Sequence, residues 1–175
     1  MIIDCLSKAI FLYFIYNVIA LMLFGVPKSL SMTYYLFKNR VENLKFLFPS
    51  MMILLTVFLL PCWLQMSVGS PYQFTAFLSA VGILFVGFTP AFNNSKMEGT
   101  IHTVSACISA AAALAWILLV TPYWYVILGI FAIVSVIAIL TKTWKTCSMY
   151  WLETVAFVST FVAMLDYYLE FIKLV

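Results

Sequence analysis

From Phe46 to Ser95 the chain carries no Asp, Glu, Lys or Arg, and from Gly99 to Thr141 it again carries none. Each run is about twice the ~20 residues that one α-helix needs to cross a hydrocarbon layer. A turn signal lies near the middle of each, MSVGSP in the first and Thr121, Pro122 and Tyr123 in the second. Each run therefore predicts a pair of helices. Composition agrees, with 66% of residues apolar and 9% charged and a mean hydropathy of +1.12, whereas soluble domains carry about a quarter charged residues. The expectation is an integral membrane protein with no loop long enough to fold as a soluble domain.

The expected architecture is all-α, one transmembrane domain over residues 1–175 with six spans at about 9–25, 44–64, 72–92, 101–120, 124–140 and 148–168. The first residues, MIIDCLSK, lack the basic start and small-residue cleavage site of a signal peptide, so the first apolar run reads as a retained helix. Gly25 and Pro27 close it. In the next segment, VPKSLSMTYYLFKNRVENLK, a short interfacial helix is expected, capped by Ser29 or Ser31, with Tyr34, Tyr35 and Phe37 at headgroup level. Small residues recur in the third span (Ala76, Ser79, Ala80, Gly82, Gly87), the fourth (SACISAAAALA) and the fifth (Gly129, Ala132, Ser135, Ala138). Such faces allow close helix contact. They predict a central fourth span, an inner core built from the third and fourth, and a surface suited to homo-oligomers. A repeat of three plus three spans, which would favour a transporter, is not evident, since Pro49 and Pro61 have no counterparts in the fifth span.

Lys and Arg concentrate on the cytoplasmic side of membrane proteins. With six spans, Lys28, Lys38, Arg40, Lys45, Lys96, Lys142 and Lys145 all fall on one side, leaving only the terminal Lys8 and Lys173. Both termini are then expected outside, on the periplasmic face of a multi-pass inner-membrane protein. Trp63 and Trp124 would mark the outer interface, and Trp144 and Trp151 the inner one. The net charge of +3 comes from these loop lysines, and no Lys/Arg block points to nucleic acid.

The stretch TPAFNNSKMEGTIH, Thr89 to His102, interrupts the apolar runs with a polar cluster. Glu98 and His102 are four apart, on one face of a helix, and Glu153 lies at similar depth in the sixth span. Ionisable groups within a membrane face a partner or a wet cavity, so a contact between His102 and Glu153 is expected. Asn17 in the first span also needs a partner inside the bundle. A bland reading makes Glu98 a helix-terminal charge and His102 a tie between helices. The sharper reading makes Asn17, Glu98, His102 and Glu153 the wall of a ligand site. One Glu and one His do not fill a coordination sphere, and a single His excludes haem held by two histidines. Neither metal nor cofactor is expected. Asp166, Tyr167, Tyr168 and Glu170 form an outer acidic cluster, solvated or acting as a vestibule. Of the four cysteines, Cys5 and Cys62 fall on the outer side, where an oxidising setting would permit a bridge. Ser29, Ser31 and Thr33 are candidate nucleophiles only with a base in reach, and no GxSxG motif accompanies them.

Three segments, GVPKSLSMTYY (25–35), GILFVGFTPAF (82–92) and EGTIH (98–102), resemble a group of small, uncharacterised multispan proteins of gut bacteria and their phages. The resemblance runs over most of the chain and carries no known activity; it implies a bacterial inner-membrane setting. The leading expectation for function is a non-enzymatic protein that binds or passes a small or lipidic ligand through an intramembrane polar cavity. A structural or partner-binding scaffold is the alternative, and an intramembrane hydrolase the third reading. The discriminating observation is what His102 touches: a water-accessible cavity, a dry packed contact, or the hydroxyl of Ser29 or Ser31.

Overall fold

The computed structural model describes residues 2–174, with side chains as far as Glu170, so the side chain of Lys173 lies outside the described residues. The chain is all-α, 79% helical. Its helices are α1 (Ile2–Phe24), α2 (Thr33–Arg40), α3 (Leu47–Met66), α4 (Phe74–Phe88), α5 (Lys96–Val120), α6 (Trp124–Leu140) and α7 (Ser148–Leu174), with a 3-10 turn at Glu42–Leu44. Four elements are long and apolar enough to cross a membrane: Ile2–Phe24, Glu42–Met66, Lys96–Val120 and Ser148–Glu170. At 15 and 17 residues, α4 and α6 rise only about 22 and 26 Å, short of a hydrocarbon core of about 30 Å.

Local chemistry explains where the helices begin and end. Helix α1 starts earlier than the apolar run because Asp4 and Lys8 pair at 2.8 Å across one turn and Ser7 Oγ donates to the Ile3 carbonyl at 2.5 Å. Helix α4 stops at Phe88, well short of residue 92, because Pro90 disfavours a helical conformation at Thr89, which lies at φ −115° and ψ 51°. Helix α5 begins five residues before the expected Ile101, capped by Ser95, whose Oγ accepts from the Glu98 N–H at 3.1 Å. Ser29 Oγ caps the turn ahead of α2, accepting from the Met32 N–H at 3.1 Å. Ser31 caps nothing and turns elsewhere.

The tightest pairing in the bundle is α4 against α5, where Ser109 Oγ donates to the Ser79 carbonyl at 3.0 Å. At Gly82 the backbones approach so closely that an added Cβ would lie 2.6 Å from Ser109 Cβ and 2.7 Å from the Ser105 carbonyl oxygen. The expected centrality of the α5 span is corrected, however. Helices α3 and α7 are the more deeply buried, with α3 packing on α1, α4 and α7, because their bulky residues fill the interior while α5 turns much of its surface outward. Phe48, Leu55, Leu59, Trp63 and Met164 are essentially inaccessible. Of the four tryptophans expected in interfacial belts, two turn into the bundle instead. Trp124 is 56% exposed, but Trp63 is 1% and Trp151 8% exposed, and the Trp151 indole N–H is used on Thr143 Oγ1 at 3.0 Å. The small-residue stripe of α6 makes no tight contact at Gly129, which has nothing within 4 Å of an added Cβ.

One end of the bundle gathers Ile2, Gln65 and Tyr167 around a shallow hollow, and the Trp116 indole N–H donates to Ser67 Oγ at 2.7 Å. The opposite end holds the segment 25–32, the turn 89–95 and the start of α7. All four cysteines are free thiols, so Cys5 and Cys62 are not bridged; the Cys62 thiol contacts the Ile2 and Phe58 carbonyls at 3.6 and 3.3 Å instead.

Candidate functional site

The segment between α1 and α2 is irregular, so its backbone groups need outside partners, and the bundle supplies them. The Leu30 N–H donates to Glu153 Oε2 at 2.5 Å, and the Leu30 carbonyl accepts from Thr33 Oγ1 at 2.5 Å. Tyr16 on α1 bonds Thr33 Oγ1, and the Lys28 carbonyl accepts from the Tyr150 N–H at the start of α7 at 3.2 Å. Each bond contributes only about 0.5–1.5 kcal/mol net, but together they fix residues 28–33 in one conformation. Ser31, 4% exposed, is thereby held against His102, 5% exposed.

His102 is anchored from its other side by the turn after α4. Its Nδ1 lies 2.9 Å from the Thr89 carbonyl oxygen and 3.3 Å from Thr89 Oγ1. A carbonyl can only accept, so the neutral imidazole carries its proton on Nδ1, and one of the orphan carbonyls at the end of α4 is satisfied. The lone pair is left on Nε2, 2.9 Å from Ser31 Oγ, and the Ser31 hydroxyl is the donor. Phe92 stacks on the ring at 4.4 Å between centroids. Tyr35 packs edge-on to Phe92 at 5.2 Å and accepts from the Asn93 N–H at 2.6 Å, so α2 clamps the turn that carries Thr89. Burial raises the Tyr35 hydroxyl above the usual phenol range, and it stays protonated at neutral pH.

Ser31 and Glu153 stand at the polar end of a half-enclosed cleft between α3, α4, α5 and α7. Its cavity volume is about 60 Å³, room for a few waters or a slender group such as part of an acyl chain. From Met52 to Trp63 on α3 and from Glu153 to Thr160 on α7, it runs roughly 10–16 Å along the helix axes at 1.5 Å per residue. Its walls are mainly apolar, with Leu59, Ile83, Val86, Ala113 and Phe157 among them. Two buried polar atoms of lining residues, Trp63 Nε1 and Ser79 Oγ, have no hydrogen-bond partner among the described residues.

The expected site residues are thus only partly gathered. Glu153 lines the cleft, and His102 reaches it through Ser31; the two do not bond each other, because consecutive residues Leu30 and Ser31 stand between them. The preferred contact between His102 and Glu153 is corrected to this bridge. Glu98 lies at the α5 N-terminus outside the cleft lining, with Oε2 unpartnered among the described residues. Asn17 is a tie between helices, its Nδ2 donating to the Tyr13 carbonyl at 2.8 Å and its Oδ1 accepting from the Tyr150 hydroxyl at 3.0 Å. The outer cluster sits at the far end of α7, Asp166 partly buried and Glu170 exposed. Beside it, burial first and the nearby Glu170 and Asp166 charges second hold the Tyr123 hydroxyl well above its ordinary value. Thr89, Phe92, Trp63 and Ser79 were not singled out as site residues from sequence. Pro90, which ends α4 and frees the Thr89 carbonyl, is the sequence signal by which the first could have been found.

Among the described residues there is no cluster of three or more His, Cys, Asp or Glu able to hold a metal. No protein-family model, curated protein or solved structure matches this chain.

Proposed function

We propose that this protein binds a lipid-like ligand in the cleft, with an elongated apolar part along α3, α4, α5 and α7 and a polar group at the Ser31 and Glu153 end. The observation that carries this reading is the cleft itself, mainly apolar along its walls with the Ser31 hydroxyl and Glu153 carboxyl gathered at one end. Filling the cleft tests the reading. Ala110→Trp and Ala113→Trp are expected to lower cross-linking of a photoactivatable fatty-acyl phospholipid at least tenfold in protein that still elutes as a monodisperse species. Undiminished cross-linking in both would sink it.

The proposal includes the setting. The chain crosses a bacterial inner membrane six times, α4 and α6 included, with both termini outside; the resemblance of segments 25–35, 82–92 and 98–102 and the one-sided Lys and Arg residues support this. Single cysteines placed at Lys38 and at Lys142 in an otherwise cysteine-free protein should resist a membrane-impermeant maleimide on intact spheroplasts and react only after lysis. Cysteines at Val68 and Tyr125 should react before lysis. Labelling of all four positions from one side would require fewer or different crossings.

A further inference from the structure

We propose that Ser31 and His102 form a nucleophile and general-base pair that cleaves the acyl ester of a lipid lying in the cleft. The inference rests on the lipid-binding reading above and adds a reaction to it. A serine becomes a nucleophile when a base in hydrogen-bond reach accepts its proton and a third group orients that base. Both conditions are met by contacts already described. The Ser31 hydroxyl lies 2.9 Å from His102 Nε2, inside the ~2.6–3.2 Å reach of a general base. The Thr89 carbonyl at 2.9 Å fixes the tautomer that leaves Nε2 unprotonated. Unlike a helix-tying histidine bond, this one ends on a residue that lines an elongated, mainly apolar cleft.

The position of the pair decides the substrate class. Ser31 stands at the polar end of an elongated apolar cleft, where the carbonyl of a long-chain ester would lie with its acyl chain along the helices. In the reaction, Ser31 Oγ bonds to the ester carbonyl carbon while its proton passes to His102 Nε2. The tetrahedral intermediate collapses, the bond from carbonyl carbon to alkoxy oxygen breaks, and the leaving alcohol takes that proton from Nε2. Water then attacks the acyl-serine, giving a proton to His102, which returns it to Ser31 Oγ as the fatty acid departs. The Ser31 N–H, without a hydrogen bond among the described residues, is the group available to donate to the developing oxyanion. Glu153 is a positioning residue: by taking the Leu30 N–H it holds the Leu30–Ser31 peptide in place.

The test uses the full-length protein in detergent or nanodiscs with an alkyl fluorophosphonate, which forms an Oγ–P bond to an activated serine and releases fluoride. Wild-type protein is expected to gain one adduct, mapped by peptide mass spectrometry to Ser31. Ser31→Ala should abolish it, and His102→Gln should slow it by roughly 10²–10⁴-fold, the usual span of general-base assistance. Ser135→Ala on α6, away from the cleft, should label like wild type. Hydrolysis of a p-nitrophenyl octanoate substrate, lost in Ser31→Ala, gives a second readout should His102→Gln fail to fold. Cross-linking of the photoactivatable phospholipid to wild type without any Ser31 adduct or ester hydrolysis would overturn the reaction and leave the binding reading intact. Absence of all three signals would overturn both. Equal labelling of wild type and well-folded His102→Gln would overturn the assigned pair.

Discussion

Gly82→Leu is expected to disrupt the α4–α5 pairing and to lower the stability of the bundle markedly. Even the first added atom would lie 2.6 Å from Ser109 Cβ and 2.7 Å from the Ser105 carbonyl oxygen. One of these is backbone and cannot swing aside, so the helices must separate. Overpacking a tight contact costs about 1–3 kcal/mol and sometimes more, which for a chain of this size lowers the melting temperature by roughly 2–4 °C per kcal/mol. Separation also breaks the hydrogen bond from Ser109 to the Ser79 carbonyl and opens the cleft between α4 and α5. A melting temperature in detergent reduced by about 6 °C or more is therefore expected, together with loss of lipid cross-linking. Gly129→Leu is the internal control, because nothing lies within 4 Å of an added Cβ there, and it should melt within a degree or two of wild type. Equal melting of the two variants would show that the close approach at Gly82 does not hold the bundle together.

Glu153→Leu should release the segment that presents Ser31. The carboxylate accepts the Leu30 N–H at 2.5 Å, and leucine offers nothing in return. Leaving a buried donor unpartnered costs about 1–3 kcal/mol, equivalent to roughly 5- to 150-fold in an opening equilibrium. Amide exchange of a peptide covering residues 26–35 should rise by that factor, with protection elsewhere in the bundle unchanged. Glu153→Gln keeps a carbonyl oxygen as acceptor and should exchange close to wild type. An exchange rate insensitive to both substitutions would mean that other bonds hold the segment, the Thr33 bond to the Leu30 carbonyl and the Tyr150 bond to the Lys28 carbonyl being the remaining ties.

The helical class, with helices long and apolar enough to cross a membrane, was legible from two charge-free runs, because hydrocarbon admits a continuous chain only where every backbone group is paired internally. Helix α6 was legible to the residue at 124–140, since Pro122 and the polar turn at Thr141–Lys142 bound it. The true ends of α1, α4 and α5 depended on short-range chemistry weaker than hydropathy: an Asp4–Lys8 pair, Pro90, and the Ser95 cap. Among candidate site residues, the cost of an ionisable group in an apolar bundle brought out His102 and Glu153 as groups needing partners. It could not say which partners, since an irregular segment between α1 and α2 came between them.

By itself, the sequence determined the apolar, helical character of the chain, the positions of most helices, and the short set of ionisable residues that need partners inside the bundle. Tertiary structure alone decided the answers: Ser31 for His102, the Leu30 peptide for Glu153, and Tyr150 for Asn17. The physical reason is range. Hydropathy and capping act within a few residues of the chain, whereas the partner of a buried polar group is chosen by how separate helices pack, over 71 residues for His102 and 123 for Glu153.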